Sequence, residues 1–339
     1  MKKKIPYQFA LLAALLVLCF IINISFGSVE IPLSATFNEL FGLRNADDSF
    51  GYIIWNYRIP KAFTAILVGS GLSLSGLLMQ TLFRNPLAGP FVLGISSGAS
   101  LGAALLIMGG GLFAASYTVV NDLSLSIASS LGSILVLLIV VAIARKVKDT
   151  MALLIIGLMF ASITAAVVTV LSYFAKAEEL QQYIFWTFGT VGNLSSNQVL
   201  ILGSIVGLGL LLSIAAIKSL NALLLGENYA RSLGVRIGRS RYLIIIATGL
   251  LAGSVTAFAG PIAFIGLAVP HLTRQLFNST DHKLLVPGVM LYGGILLLIC
   301  DTIAQLPSSS YVLPINAITS IIGAPVVIWL LLRKRNMIF

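Results

Sequence analysis

Apolar residues fall along this chain in long blocks separated by short polar stretches, and the blocks match the length of a membrane-crossing helix. Such a helix needs about 20 apolar residues, because the hydrocarbon core is about 30 Å thick and a helix rises about 1.5 Å per residue. The pattern predicts about ten spans, near residues 6–27, 59–82, 91–108, 123–143, 151–174, 196–216, 242–259, 263–277, 284–303 and 314–332. Several are short or interrupted by Gly and Pro. The expected fold class is therefore all-α, a polytopic membrane protein. The longest polar stretches, 27–57, 176–197 and 218–241, are each too short for a soluble domain, so residues 1–339 read as a single transmembrane domain.

The stretch 218–241, KSLNALLLGENYARSLGVRIGRSR, departs most from the apolar background. It reads as two small helices, each closed by a C′ glycine, Gly226 and Gly234. Neither buries enough surface to be stable alone. Lys218, Arg231, Arg236, Arg239 and Arg241 place it on the cytosolic side, where loops beside spans carry their basic excess. Residues 218–240 are thus expected to form a docking surface for a cytosolic protein.

Charge gives the whole chain an orientation. The first span follows Lys2, Lys3 and Lys4 but is too long for a signal peptide and lacks a small-residue cleavage site, so it is expected to be an uncleaved helix with its N-terminus inside. With ten spans both termini are then cytosolic. Of 21 Lys and Arg, Arg44, Arg58, Lys61 and Lys176 fall outside and 17 inside, the asymmetry of a multi-pass inner-membrane protein. The net charge of +10 follows from this bias; the cations are scattered over short loops, so no nucleic-acid face is expected. Hydrophobic residues make up 58% and charged residues 9%, against about 25% charged in a soluble domain. Cys19 and Cys300 lie in separate apolar spans and read as packing residues, and no clustered His, Cys or Asp set suggests a metal site. No G-x-x-x-x-G-K-[ST] phosphate loop is present, since Gly is never followed by Lys, so the chain itself is expected to be non-catalytic.

Two features concern the pathway. Gly71, Ser75 and Gly76 followed by Ala88-Gly89-Pro90 and Gly94 resemble Gly249, Ala252 and Gly253 followed by Ala259-Gly260-Pro261 and Gly266. On the expected topology the two copies are inverted, a construction common in transporters. Small residues at helix-packing spacing, Gly69, Ser73, Gly76 and Gly98, Gly102, let backbones approach where lipid supplies no hydrophobic drive. Pro86, Pro90, Pro261, Pro270 and Pro325 mark irregular helices. Residues 176–190 suit either a short helix at the outer interface, with Trp186 near the headgroups, or an extension of the preceding span.

From Arg58 to Gly102 the chain reads RIPKAFTAILVGSGLSLSGLLMQTLFRNPLAGPFVLGISSGASLG. This closely resembles FecCD-type permease subunits of importers for iron chelates, haem and cobalamin, with their R-x-P-R start, S-G-x-x-x-Q helix and N-P-L-A-x-P turn. LLLGENYARSLGV resembles that family's coupling segment, GPIAFIGLAVPHLTR its eighth helix and IIGAPVVIWLLL its last. The resemblance implies a type II ATP-binding-cassette importer fold. Two permease copies, expected as a homodimer, would enclose the pathway. Two cytosolic ATPases, which use ATP and Mg, would drive it, an external binding protein would deliver substrate, and this chain would bind no cofactor itself.

By the same resemblance, Glu227, Ala230, Arg231, Ser232, Leu233 and Gly234 would fit a groove on the ATPase, whereas residue spacing alone offers only an i,i+4 pair between Glu227 and Arg231. Arg58 and Lys61 would pair with acidic side chains of the binding protein; the bare reading is headgroup snorkelling. Lys61 replaces an Arg, losing the bidentate fork. Gln305 and Val312-Leu313-Pro314-Ile315-Asn316 depart from the family's Arg and E-L-P-x-G turn, so fewer docking salt bridges are expected. Thr150 and Met151, by position, are candidates for an inner gate. His271 and Asp301 match family residues and are expected to pack rather than to bind haem or carry protons. The cargo expected first is a ferric siderophore, with cobalamin or haem as alternatives. Composition alone also leaves open an ion-coupled secondary transporter, although the acidic residues fall in loops or at span ends.

Overall fold

The computed structural model describes residues 5–27, 29, 31–42, 48–109, 120–147, 149–305 and 311–332. Its α-helices are, in chain order, α1 (Ile5–Ser25), α2 (Leu33–Leu40), α3 (Asp48–Ile53), α4 (Ile59–Leu82), α5 (Ile95–Met108), α6 (Asp122–Lys146), α7 (Thr150–Phe174), α8 (Ala177–Thr187), α9 (Ser196–Leu224), α10 (Glu227–Ser232), α11 (Ile237–Ala259), α12 (Ile265–Phe277), α13 (His282–Ala304) and α14 (Ile315–Leu332). Helices α1, α4 to α7, α9 and α11 to α14 stand where the apolar blocks predict spans.

Seven segments among the described residues are long and apolar enough to cross a membrane: α1, Ser49–Leu82, α6, α7, α9, α11 and α13. The second joins α3 and α4 through a π-helical turn, Ile54–Arg58. The stretch 27–57, expected as a loop, therefore holds α2 and the first turns of a spanning helix. Helices α5 and α12 have 14 and 13 residues and are only about 20 Å long. Each is entered through irregular backbone, a 3-10 turn at Pro90–Leu93 before α5 and the stretch 260–264 before α12. Extended backbone at Ala175 and Lys176 separates α8 from α7, so α8 is a helix of its own rather than an extension.

The inverted repeat is visible in the packing. Helices α4 to α7 correspond to α11 to α14, and the neighbours obey that exchange: α4 packs on α13 and α12, α11 on α6 and α5, α5 on α7 as α12 on α14. The residue that opens each short helix is left-handed, Gly94 (φ 72°) before α5 and Phe264 (φ 65°) before α12. The counterpart of Gly94 is thus Phe264, not Gly266 as the sequence match suggests. Gly266 instead lies against α4: a Cβ on Gly76 would stand 1.8 Å from its carbonyl oxygen. Likewise a Cβ on Gly69 would stand 2.2 Å from the Gly293 oxygen, and one on Gly102 2.1 Å from that of Ala128. These small residues set helix separation, the role they play where backbones must touch. The result is a core buried around α4 and α11, with leucine and isoleucine side chains of α6, α7 and α9 facing outward.

Candidate coupling and docking sites

At one end of the bundle α9 passes into α10 through Leu225 and Gly226 alone. Gly226 has φ 102°, a conformation open to glycine, and lets the chain turn sharply into α10. The first expected small helix is in fact the last turns of α9, which run on to Leu224. The second is α10, closed by Leu233 and by Gly234 at φ 82°. Ala230 faces inward and is fully buried, while Tyr229, Arg231, Ser232, Leu233 and Gly234 are exposed.

Glu227 holds α10 in place. Its carboxylate pairs with Arg231 at 3.7 Å and, more closely, with Arg241 at 3.0 Å. Arg241, at the start of α11, is buried and also donates to the Val147 carbonyl oxygen beyond α6 at 3.2 Å, while the Tyr242 hydroxyl donates to the Ala144 oxygen at 3.3 Å. The closer partner of Glu227 is therefore Arg241, 14 residues away, rather than the i,i+4 neighbour that spacing suggests. A cleft of about 410 Å³ beside α10 is lined by Arg84, Thr150, Glu227 and Tyr229 among others. Thr150 opens α7, whose N-cap Asp149 accepts from the Met151 backbone N–H, and Met151 itself is exposed.

At the opposite end the two basic residues expected to face a partner are turned inward. Arg58 is 8% exposed. Its guanidinium donates to the Ile24 and Ser25 carbonyl oxygens at 2.8 and 2.7 Å and to that of Val29, closing the C-terminus of α1. Lys61 pairs with Asp301 at 3.2 Å, and Asn23 and Gln305 each donate to the second carboxylate oxygen at 2.8 Å. Lys61 keeps partial access to solvent, and Asp301 has almost none. Asn316, part of the departing Val312–Asn316 segment, accepts from the Ala263 backbone N–H at 3.0 Å, tying α14 to the entry of α12.

Motifs far apart in sequence meet between these ends. Gln80 of the S-G-x-x-x-Q helix accepts from Arg274 at 2.8 Å and donates to the Leu267 oxygen at 3.1 Å. His271 Nε2 lies 3.0 Å from the oxygen of Pro86, so this histidine is used in packing. Among the described residues no group of three or more His, Cys, Asp or Glu could hold a metal ion.

The profile of the FecCD transport family matches residues 15–333. The chain belongs to this family. Its relatives include the vitamin B12 import system permease protein BtuC of Salmonella paratyphi A, 38% identical over 284 residues and 84% of both chains. The protein of the same name from Citrobacter koseri is 38% identical over 285 residues, again 84% of both. A solved ABC transporter in an inward-facing conformation, whose metal-chelate assignment is itself a proposal, covers 97% of this chain and 99% of its own, with TM-score 0.84 and 29% identity. PsaBC from Streptococcus pneumoniae, solved with a Fab, shares the fold at TM-score 0.56 and 17% identity, covering 86% of this chain and 94% of its own. This FecCD member is thus an ABC importer permease, and the secondary-transporter reading is set aside. A contact between Asn221 and His282, 2.7 Å from the amide oxygen to ring Nδ1, was missed in the sequence; its one trace there is polar side chains abutting apolar blocks.

Proposed function

We propose that this permease moves a bulky metal chelate across a bacterial inner membrane, powered by separate ATPases seated on α10 and supplied by a binding protein at the Lys61 end. The observation that carries the reading is α10 itself: a six-residue helix too short to be stable alone, clamped by Glu227 and Arg241 to the end of α6, with Arg231, Ser232, Leu233 and Gly234 outward. A solvated helix has no need of such a clamp, whereas a surface that transmits force does. Ala230 would keep the helix seated, and the ATPase would carry the ATP and Mg. This chain would hold no cofactor.

Alternating access would bring Thr150 and Met151, at the α10 end, into an inner gate. Lys61, with partial access beside a buried partner carboxylate, is the residue best placed to answer an acidic side chain of the binding protein, and Arg58 would support that surface by holding α1. A second copy of this chain would complete the pathway, with lipid covering the rest of the outward apolar faces. Both termini on the cytosolic side agree with the 17 basic residues counted there.

For the cargo, a ferric siderophore and cobalamin fit equally, the second supported by what the 38% identical relatives are named for; haem is a third candidate. The test is uptake of labelled ferric siderophore, cyanocobalamin and haem into proteoliposomes holding the permease, its co-purifying ATPase and the binding protein. ATP-dependent uptake of one probe, lost in Arg231→Glu and Leu233→Asp, is the expected result. Uptake indifferent to ATP or to both substitutions would overturn the reading.

A further inference from the structure

Helix α10 can move the bundle only through what holds the helices on either side of it. On the α9 side the last turn is anchored by Asn221, five residues before Gly226. Its Nδ2 donates to Asp281 Oδ1 at 2.7 Å. That donation turns the Asn221 Oδ1 toward His282, where it accepts the backbone N–H at 2.9 Å and lies 2.7 Å from the ring Nδ1. Oδ1 can only accept, so Nδ1 carries the ring proton. On the other side of the ring Nε2 stands 2.9 Å from the hydroxyl of Thr81 on α4, which also reaches the Leu77 carbonyl oxygen at 2.9 Å. His282 is fully buried and opens α13, and Asp281 is the α13 N-cap, accepting from Lys283 N–H at 3.0 Å.

Four side chains from α4, α9 and the head of α13 are thus linked in one continuous polar chain. The two helices it reaches are themselves a stiff pair. Helices α4 and α13 are in backbone contact at Gly69 and Gly293 and are tied at the far end by Lys61 and Asp301. A displacement of the last turn of α9 must either break this chain or carry the α4–α13 pair with it. Buried polar groups left without partners are costly, so carrying is favoured.

We propose that Asn221, His282 and Thr81 form the joint through which movement of α10 is passed to the α4–α13 pair; Asn221 is its central positioning residue. This rests on the reading that the ATPase seats α10. It assigns different roles to the two clamps. The Glu227–Arg241 pair sets where α10 sits, and the Asn221 joint sets how much of its motion reaches the core.

The experiment measures ATP hydrolysis and uptake of cyanocobalamin and labelled ferric siderophore in the same proteoliposomes, for the whole complex. Variants Asn221→Ala and Thr81→Val, the second removing only a hydroxyl, should retain the ATPase and hydrolyse ATP within about twofold of the parent. Uptake per ATP should fall roughly five- to tenfold, the size of a typical coupling term. Exchanging roles in Asn221→Asp with Asp281→Asn rebuilds the donor–acceptor pair and should recover uptake. An unchanged ratio, a proportional fall of both rates, or loss of ATPase assembly in both variants would overturn the inference. Parent uptake that needs no ATP would instead overturn the importer reading beneath it.

Discussion

At the α10 end of the bundle Arg231, Arg236 and Arg239 stand in solvent, whereas at the opposite end Arg58 and Lys61 are turned inward onto carbonyl oxygens and a buried carboxylate. Both sets flank apolar spans and carry the same charge. The difference lies in what the neighbouring helices offer. The C-terminus of α1 presents carbonyl oxygens without intrahelical partners, and Asp301 supplies a carboxylate beside Lys61. Residues 231–239 meet neither, apart from the Glu227 carboxylate, which the buried Arg241 holds at shorter range than Arg231 does. Arg58 is consumed by the structure and Lys61 keeps only partial access to solvent, whereas the arginines at the α10 end are open to it.

Substitutions that separate the two ends should differ in size. Arg58→Ala leaves three carbonyl oxygens without their donor and is expected to cost roughly 1–3 kcal/mol, read as a fall in the unfolding temperature of the detergent-solubilised protein. Asp301→Ala strands Lys61 and Gln305, while Asn23 keeps the Thr302 hydroxyl at 3.0 Å. Because Lys61 can swing into solvent, the loss should be smaller than the 3–5 kcal/mol or so of a fully buried pair, about 1–2 kcal/mol. Arg231→Ala should change stability by less than about 0.5 kcal/mol while abolishing co-purification of the ATPase. A large loss of stability there, or none in Arg58→Ala, would erase the contrast between the ends.

The smallest expected effect is one of pH. Burial alone would raise the Asp281 carboxyl, but the Lys283 backbone N–H, the Asn221 amide and the nearby Lys283 charge outweigh it and hold the group below its ordinary range. A carboxyl lowered on folding stabilises the protein above its unfolded pKa, about 3.9, and loses that contribution as pH falls through the folded value. Asp281 keeps partial access to solvent, so the effect is slight. Asp281→Asn should flatten the acid side of a stability profile measured from pH 5 to pH 3; an unchanged profile would count against the Asn221 contact.

The helices were largely legible because each apolar block carries its own instruction, and Gly226 and Gly234 end or turn helices by their own backbone freedom. The exposed face of α10 was legible for the same reason. The partners were not. Arg241 looked like one more cytosolic cation until the fold brought it to Glu227 and Val147. Asn221, His282 and Thr81 were indistinguishable from solvated residues at span ends, because their contacts close over separations of 61 and 201 residues. Residues 27–57 read as loop because a polar composition hides the turns of α3 that continue into α4.

What this sequence determined by itself is a membrane-spanning helical chain with one short exposed helix, since length, hydropathy and glycine conformations are local quantities. Only the tertiary structure decided which charged side chains are buried, which carbonyl oxygens they meet and how α9 is joined to α4 and α13. A hydrogen bond or ion pair needs its partner within about 3 Å, and for these residues the partner is supplied by a different helix or its flanking turn, which only packing brings within reach.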